Sequence, residues 1–308
     1  MSVRRRRDIW DVAVIGGGIG GLSAALQAAA RGLACVLIER ALPGGLVATV
    51  NVLQDWPAGA AESGPELAAR LAAQARAEDV CVIDGEVRRL AAADALWTLL
   101  LDGRELRARR VVCASGARLR PLGVADEGRF HGKGWSQCAW CDGTLFRGRD
   151  VAVIGGGDSA LQQALVLAPL VRSVSVVARN ALRARHTRIE AASACTNLRF
   201  VWGSTVGRLI GDEALEAIEL VALADGRRSE LACSGVFPFI GLDPQADYLP
   251  QAAVRDRAGQ VVTDAELRTS LPAVYAIGAL RAGHSGELTG AAGDAATAIA
   301  SIARELLR

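Results

Sequence analysis

The chain has 308 residues, which is enough for one large domain or for two domains of ordinary size. Hydrophobic residues make up 51% of it and charged residues 22%, a globular composition that excludes a wholly disordered chain. A net charge of +2 and an aromatic content of 4% argue against a nucleic-acid-binding surface.

Four consecutive arginines, Arg4 to Arg7, precede the first apolar run. Acidic residues follow them directly, and neither a signal-peptide core nor a small-residue cleavage site comes next. Charged residues interrupt the longest apolar runs, at Arg31 and at Arg172, so that none reaches the length of a membrane helix. We therefore expect a cytoplasmic protein without membrane segments.

The first motif is a glycine-rich turn between a predicted strand and a predicted helix. Residues 10–15, WDVAVI, read as a buried parallel strand, and residues 22–31 read as an alanine-rich helix. Between them Gly16, Gly18 and Gly21 fit G-x-G-x-x-G. In this motif the first glycine makes a tight turn, the second lets the backbone approach a pyrophosphate, and the third lets helix and strand pack closely. The helix N-terminus then faces the phosphates.

The strand after this helix, ACVLIE, ends in an acid. Glu39 lies 23 residues after Gly16, about where a Rossmann unit places the carboxylate that holds a ribose hydroxyl. Strand, turn, helix and acid together predict a site for an adenosine with a free ribose. A plain glycine turn is the alternative.

Two of the seven cysteines form a motif. Cys138 and Cys141 are spaced as C-x-x-C, and Asp142 follows directly. Such a pair serves as half of a zinc site, as a structural crosslink or as a reversible redox couple. A closed zinc site needs four ligands, and the chain has three histidines, of which His131 is nearest, and no second C-x-x-C. We therefore predict no metal.

A second glycine-rich turn begins at Gly155. Residues 151–154 read as a strand, and Gly155, Gly157 and Ala160 fit G-x-G-x-x-A ahead of a helix. The next strand, SVSVVAR, ends without an acid, and the arginines that follow favour the 2′-phosphate of NADP over a free hydroxyl. A solvated basic loop is the alternative. The candidate NADP-binding residues are Gly155, Gly157, Asp158, Ser159, Ala160, Arg179 and Arg183.

The C-terminal segment supplies a third piece. The strand LPAVYAIG ends at Gly278 and leads through a glycine-containing stretch into a long amphipathic helix. A single strand forms no sheet, and its natural partner is the sheet of the first glycine turn. We predict an α/β fold with two Rossmann-like, three-layer ββα nucleotide-binding domains, the second inserted into the first. The predicted ranges are 1–114 and 241–308 for the first domain, 118–236 for the second, and 113–118 and 237–244 for the linkers.

Seven motifs follow one another in the order and spacing of a known family: VIGGGIGGLSAAL, GGLVATVNVLQDWP, CASGARLRPLGV, CAWCDG, VAVIGGGDSAL, FIGLDP and VYAIG. The sequence resembles the low-molecular-weight thioredoxin reductases, class II FAD-dependent pyridine nucleotide-disulfide oxidoreductases, over nearly its whole length. The most specific element of this resemblance is C-x-x-C-D-G just before the second glycine motif.

The resemblance implies FAD in the first domain, NADPH in the second and a cysteine pair that exchanges electrons with the flavin. By position, Cys141 is the cysteine nearer the flavin, Cys138 attacks the partner's disulfide, and Asp142 handles protons. Lys133 stands where the family often has a basic residue for docking the partner protein. A homodimer and a domain rotation between the two half-reactions are also implied. The implied FAD-binding residues are Gly16, Gly18, Gly21, Glu39, Arg40, Gly45, Leu46, Asp55, Gly278, Ala279, Glu287 and Leu288.

Several positions expected to contact the flavin depart from the family. Ala279 stands where the family has an aspartate that binds the ribityl chain, and Glu287 belongs to a Gly-Glu pair in place of Arg-Gln. Leu46 replaces a glutamine, and Asp55 an asparagine. Losing a hydrogen bond to a charged group typically costs about 1.5–3 kcal/mol. We therefore expect weaker or electronically altered FAD binding, unless Arg281 or a water compensates.

Two enzymatic functions follow from these motifs. The first is a flavoprotein disulfide oxidoreductase that passes electrons from NADPH through FAD to the Cys138–Cys141 pair and on to a thioredoxin-like protein or a small disulfide or dithiol substrate. The alternative is a thioredoxin-reductase-like enzyme with a changed duty, either a small-molecule dithiol oxidase that uses oxygen or a ferredoxin-linked disulfide reductase. A non-catalytic zinc or redox-sensor module is disfavoured because its ligand set is incomplete.

Overall fold

The chain folds into two compact units, which the computed structural model describes for residues 7–53, 56–57 and 62–307. The first unit comprises Met1–Arg118 and Asp243–Arg308, and the second comprises Leu119–Leu242. Along the chain, the second unit is therefore inserted between the two parts of the first.

The secondary structure alternates between strands and helices in both units. The strands are β1 (Trp10–Ile15), β2 (Cys35–Glu39), β3 (Cys81–Asp84), β4 (Val87–Ala93), β5 (Leu96–Leu101), β6 (Arg104–Cys113), β7 (Ala117–Leu119), β8 (Asp150–Ile154), β9 (Ser173–Ala178), β10 (Leu198–Trp202), β11 (Ser204–Ile210), β12 (Ala217–Ala222), β13 (Arg228–Ala232), β14 (Gly235–Pro238), β15 (Leu242–Pro244) and β16 (Val274–Ala276). The α-helices are α1 (Ile19–Ala29), α2 (Gly64–Ala77), α3 (Ala139–Asp142), α4 (Asp158–Leu167), α5 (His186–Ala194) and α6 (Leu288–Leu306). Short 3₁₀ helices lie at Gly45–Thr49, Glu127–Phe130, Gly143–Phe146 and Gly278–Leu280.

The first unit is built on a seven-stranded sheet in the order β3-β2-β1-β6-β5-β4, with β16 also paired to β6. Its strands β3, β2, β1, β6 and β16 are parallel, while β4 and β5 continue the sheet as antiparallel strands. Both faces are buried, as the unbroken apolar run of β1 requires. Val12 and Val14 pack under α1 and α6, and Ala13 and Ile15 pack on the opposite face with Leu99 of β5.

The second unit has three layers. Its central parallel sheet has the order β10-β9-β8-β14. Helices α4 and α5 cover one face around Leu161 and Val176, and the antiparallel sheet β11-β12-β13 covers the other around Val177 and Ile218. In both units the glycine-rich turn follows the strand that lies inside the parallel sheet, which directs the turn to the carboxyl edge where Rossmann folds bind nucleotides.

The predicted α/β fold with two Rossmann-like units is confirmed, since each unit contains a parallel sheet segment whose strand order is that of a nucleotide-binding turn between strand and helix. The C-terminal strand joins the first sheet as predicted, because Tyr275 of β16 pairs with Val112 of β6. The helix after the first glycine turn begins at Ile19 and not at residue 22, since Gly18 already has extended backbone and precedes the first helical residue. Across the described ranges, none of the helices combines the length and the apolarity that crossing a membrane would take.

Candidate active site

The first glycine-rich turn joins β1 to α1 and closes against a neighbouring strand. The Gly16 N–H donates to the Ile38 carbonyl oxygen at 2.8 Å. A Cβ at Gly21 would fall 1.8 Å from the Gly16 oxygen, so only glycine lets the helix pack this closely on the turn. At Gly18 the nearest atom to an added Cβ is the Gly44 oxygen, 3.9 Å away. The turn is therefore tight inside and open at the N-terminus of α1, as an anion-binding turn needs.

Glu39 ends β2 with its carboxylate on this turn. Its Oε2 accepts a hydrogen bond from the Gly17 N–H, and its Oε1 accepts one from the Ala41 N–H at 2.9 Å. The guanidinium of the next residue, Arg40, pairs with Glu86 at 3.2 Å. Glu39 thus stands beside the first turn, whereas the charge of Arg40 is directed to another carboxylate.

The loop after β2 returns to the same turn. The Gly44 N–H donates to the Gly17 carbonyl oxygen at 2.8 Å, and Gly45 begins the short 3₁₀ helix that carries Leu46. Leu46 is exposed. Asp55, the other residue of this loop that the sequence singled out, lies outside the described residues. Gly45 and Leu46 are therefore held next to the first turn by a backbone hydrogen bond.

An ion pair behind Gly278 organises the turn between β16 and α6. Asp294 is 7% exposed, and its carboxylate accepts the Gly278 N–H at 2.9 Å and two hydrogen bonds from the Arg281 guanidinium, both at 2.7 Å. Burial opposes charge on Asp294, but the neighbouring His284 and the hydrogen bonds from Arg281 and Gly278 outweigh it and hold the pKa of this carboxyl well below its usual value. The Arg281 guanidinium is thereby engaged by Asp294, and its third nitrogen donates to the Ala282 carbonyl oxygen at 3.0 Å.

The other C-terminal positions flank this ion pair. Ala279 lies in the short 3₁₀ helix after β16, Glu287 directly precedes α6, and Leu288 is its first residue. Leu288 packs together with Trp56 on a cluster that contains Ile19 of α1. The start of α6 therefore lies against the helix that follows the first glycine turn.

Two buried ring nitrogens in this region have no hydrogen-bond partner among the described residues, namely Nε1 of Trp56 and Nδ1 of His284. The latter lies 3.6 Å from Oδ2 of Asp294, which is beyond hydrogen-bond distance. Buried polar groups in folded proteins are normally hydrogen-bonded, so the orphaned N–H of Trp56 fits a site that a bound cofactor completes.

In the second unit, Cys138 and Cys141 form a disulfide with a Cα–Cα distance of 5.3 Å. Cys138 directly precedes α3, and the Cys141 N–H donates to its sulfur at 3.1 Å. Cys138 is buried and Cys141 is exposed. A backbone N–H directed at the Cys138 sulfur would stabilise a thiolate there, which is the reactive form in disulfide exchange.

Two polar side chains hold the backbone at this disulfide. Ser136 Oγ accepts the Cys138 N–H at 3.0 Å and donates to Asp142 Oδ2 at 2.6 Å. Gln163 of α4 is buried, and its Oε1 accepts the Ala139 N–H at 2.8 Å. The sequence singled out Asp142 by its position after the second cysteine, but it did not identify Ser136 or Gln163.

The second glycine-rich turn joins β8 to α4. The Gly155 N–H donates to the end of β9 at 2.9 Å. Ala160 is fully buried beneath the turn, and Ser159 is exposed. Among the described residues, no atom lies within 4 Å of a Cβ added at Gly157, so the space before the first turn of α4 is open to a ligand.

The arginines after β9 fall into two groups. Asp158, the first residue of α4, binds Arg185 at 3.1 Å and Arg188 at 3.2 Å. The guanidinium groups of Arg179 and Arg183 form no hydrogen bond or ion pair with any residue that the structure describes. Two cations beside the second turn therefore remain available to an anionic ligand.

The remaining cysteines are not in disulfides. Burial raises the pKa of Cys35, Cys113 and Cys233 to about 12 in each case, so these thiols are unreactive near neutral pH. Cys81 and Cys195 are partly exposed. In the described part of the chain, no group of three or more His, Cys, Asp or Glu residues could hold a metal ion.

Comparison with known proteins identifies the family of this chain. A family model described as pyridine nucleotide-disulphide oxidoreductase matches residues 10–300. The chain belongs to this family.

The oxidoreductase is 33% identical over 288 residues to the thioredoxin reductase of Listeria innocua, which covers 93% of this chain and 90% of the relative. It is 34% identical over 291 residues to the thioredoxin reductase of Treponema pallidum, which covers 94% of each chain. Its fold matches the crystal structure of Lactococcus lactis thioredoxin reductase with a TM-score of 0.93 at 30% identity, covering 97% and 99% of the two chains. The resemblance to thioredoxin reductases is thus confirmed.

FAD and NADPH are the cofactors of this oxidoreductase, as predicted. The residues present fit both groups. For FAD, the turn has space at Gly18, and the carboxylate of Glu39 lies beside it. The buried Nε1 of Trp56 has no hydrogen-bond acceptor among the described residues. The turn at Gly157 is likewise open, and unpaired arginines follow the next strand. The predicted FAD-dependent flavoprotein disulfide oxidoreductase is confirmed at the level of the enzyme class.

Proposed function

We propose that this oxidoreductase reduces the disulfide of a thioredoxin-like protein through the Cys138–Cys141 pair, with NADPH as the electron source. The observation that carries the proposal is the disulfide itself, whose Cys138 sulfur accepts the Cys141 N–H at 3.1 Å with Asp142 directly following. The thioredoxin reductases of Listeria innocua and Treponema pallidum support the choice of partner.

We assign the first unit to FAD. The FAD pyrophosphate would lie at the open side of the turn, against Gly18 and the N-terminus of α1, where the backbone N–H groups and the helix dipole favour negative charge. Glu39 would hold the adenosine ribose. The remaining part of FAD would lie beside Gly45, Leu46 and the segment from Gly278 to Leu288. FAD supplies the hydride and electron transfer between NADPH and the disulfide when it is bound.

We assign the second unit to NADPH. Its pyrophosphate would lie at Gly157 and the start of α4, with Asp158 and Ser159 in the first helical turn. Arg183 donates its backbone N–H to the Gly156 carbonyl oxygen at 2.7 Å, so this arginine is anchored at the turn with its guanidinium unpaired. Arg179 and Arg183 would bind the 2′-phosphate, since charge-assisted hydrogen bonds to phosphate are among the strongest available to a protein.

The cysteine chemistry follows thiol–disulfide exchange. The Cys138 thiolate forms a bond to one sulfur of the partner disulfide while the partner's S–S bond breaks. The Cys141 thiolate then attacks the Cys138 sulfur, restores the internal disulfide and releases the second partner sulfur. Asp142 exchanges the protons. Because Cys138 is buried, its sulfur must become accessible before a protein substrate can react.

Lys133 is exposed in the loop ahead of the cysteines and would contribute a positive charge to docking the partner protein. We further propose a homodimer that works in the cytoplasm. A reducing compartment is supported by five cysteines that are not in disulfides, Cys35, Cys81, Cys113, Cys195 and Cys233. Sedimentation of the purified enzyme and fractionation of cells test these two points.

The decisive experiment is anaerobic addition of NADPH to the purified flavoprotein, followed by oxidised thioredoxin. Bleaching of the flavin band and appearance of thioredoxin thiols support the proposal. A Cys138→Ser, Cys141→Ser variant should still bleach with NADPH but should reduce no thioredoxin. If NADPH does not bleach the flavin, the two alternative functions are distinguished as follows. Bleaching by reduced ferredoxin would establish a ferredoxin-linked disulfide reductase, and formation of hydrogen peroxide from a dithiol would establish a dithiol oxidase.

A further inference from the structure

Ser136 is a buried hydroxyl with partners on both sides of the redox disulfide. It is 5% exposed, its oxygen accepts the Cys138 N–H at 3.0 Å, and it donates to Asp142 Oδ2 at 2.6 Å. It is the hydrogen-bond partner of the Asp142 carboxylate among the residues that the structure describes. One side chain therefore fixes both the backbone at the first cysteine and the acid after the second.

We propose that Ser136 is a positioning residue that holds Asp142 in place to exchange protons with the cysteine pair. The proposal rests on the proton-handling role given to Asp142 in the proposed function. The backbone of Asp142 is fixed by its N–H, which donates to the Cys138 carbonyl oxygen at 3.1 Å. Its side chain retains freedom about χ1 and χ2, and Ser136 removes that freedom by binding one carboxylate oxygen and leaving the other for proton exchange.

The hydroxyl of Ser136 can serve both protonation states of the acid. When Asp142 is ionised, Ser136 donates to its Oδ2. When Asp142 carries a proton, Ser136 accepts from the acid and turns its own proton to the Cys138 carbonyl oxygen, which lies 3.4 Å away. The second lone pair of Ser136 accepts the Cys138 N–H throughout. No buried polar group is then left without a partner when the proton moves.

As the Cys138 thiolate bonds to one partner sulfur and the partner's S–S bond breaks, the leaving sulfur takes its proton from Asp142. The Cys141 thiol loses its proton to the solvent, and the thiolate then displaces the second partner sulfur, which leaves as a thiolate and takes a proton from the solvent. The two electrons of the dithiol end on the partner. Asp142 remains ionised until it takes a proton from the solvent.

The leaving group provides a test that does not depend on the flavin. The full-length enzyme is reduced with dithiothreitol, desalted anaerobically and mixed with one of two disulfides. Bis(2-hydroxyethyl) disulfide releases an alkyl thiolate that needs a proton, whereas 5,5′-dithiobis(2-nitrobenzoate) releases a thiolate that is stable without one. Ser136→Ala should slow exchange with the alkyl disulfide by about 10-fold and leave the aromatic reaction within about twofold, since general acid catalysis accounts for about 10²–10⁴-fold in total.

A double-mutant cycle locates the effect. Asp142→Asn should slow the alkyl reaction at least as much, and adding Ser136→Ala to it should cause no further loss. Ser136→Thr, which keeps the hydroxyl, should restore the alkyl rate and its pH profile. Ser173→Ala is the matched control, because Ser173 donates to Asp150 at 2.7 Å in the same unit, and this variant should exchange like the parent.

Three results would overturn the proposal. If Ser136→Ala slows exchange with both disulfides equally, or if the Ser136→Ala, Asp142→Asn double variant is slower than Asp142→Asn alone, Ser136 has only a structural role. The melting temperatures of Ser136→Ala and Ser173→Ala show whether either variant is generally destabilised. Parent-like exchange by Asp142→Asn would overturn the role of Asp142 together with that of Ser136. None of these results affects the NADPH bleaching experiment, so the proposed function is tested separately.

Discussion

Arg281 and Asp294 form a bidentate ion pair, with both nitrogen–oxygen distances at 2.7 Å, and the same carboxylate binds the Gly278 N–H at 2.9 Å. The pair joins the residue after the short 3₁₀ helix Gly278–Leu280 to the first half of α6. It therefore sets the backbone of the turn at Gly278, where the sequence lacks the acid that thioredoxin reductases are expected to carry at Ala279. The backbone of this turn is therefore fixed by a hydrogen bond to the Asp294 carboxylate of α6.

Asp294→Asn is expected to lower the free energy of unfolding by about 3 kcal/mol. Removing one member of a buried pair leaves the other charge uncompensated, and the Arg281 side chain is only 18% exposed. Urea unfolding at neutral pH measures the loss. Asp102→Asn is the matched control, since Asp102 binds Arg88 with the same two-nitrogen geometry but both side chains are exposed, and it should change little. Equal losses in the two variants would contradict the prediction.

The same pair predicts a pH dependence. The pKa of Asp294 lies below its ordinary value of 3.8 in the folded protein, so its contribution to stability is complete above that value. This contribution to stability is lost as the pH falls below 3.8 towards the folded pKa, because Asp294 is then protonated in the unfolded chain while it is still ionised in the folded chain. Urea midpoints measured from about pH 5 down to about pH 2 should fall more steeply for the parent than for Asp294→Asn. Parallel curves would contradict this assignment.

Local patterns made the glycine turns, the C-x-x-C pair and Glu39 predictable, because each is encoded by neighbours in sequence and by one strand–turn–helix spacing. Asp294 and Gln163 were not predictable in the same way. Each lies on an otherwise apolar helix face, and its partner, at Arg281 or at Ala139, belongs to a different element. A charged or amide side chain on an otherwise buried helix face indicates that it has a hydrogen-bond or ion-pair partner, but only the folded structure shows which residue that partner is.

Ala279→Asp is expected to tighten FAD binding to the apoprotein by about 10-fold, since one hydrogen bond to a charged group is typically worth about 1.5 kcal/mol or more. We expect no compensation from Arg281 in the parent, because its guanidinium binds Asp294. Fluorescence titration of the apoprotein with FAD measures the dissociation constant. Ala282→Asp adds the same charge three residues further on and should not tighten binding. An unchanged constant for Ala279→Asp would mean that the missing acid has no role in flavin affinity.

Arg183→Ala is expected to raise the KM for NADPH by about 10-fold and to leave the KM for NADH nearly unchanged. The unpaired guanidinium is anchored at the second turn, and losing a charge-assisted contact to the 2′-phosphate affects only the phosphorylated nucleotide. Steady-state rates with the two nucleotides give the ratio. Arg227→Ala removes an exposed arginine that pairs with Asp225 and serves as the control. A similar loss with both nucleotides would argue against a 2′-phosphate contact.

Gln163→Glu is expected to slow alkylation of reduced Cys138 at neutral pH by about 10-fold and to move its pH profile upward. The buried amide oxygen of Gln163 accepts the N–H of Ala139, the residue after Cys138, and a carboxylate oxygen could accept the same hydrogen bond. The added negative charge would disfavour the Cys138 thiolate, which is the form that reacts. Iodoacetamide labelling, read at the Cys138 peptide by mass spectrometry, measures this rate without interference from the other thiols. Gln162→Glu places the same charge one residue earlier, at a less buried position of α4, and should have the smaller effect. If both variants label like the parent, the helix that follows the second nucleotide turn does not tune the cysteine pair electrostatically.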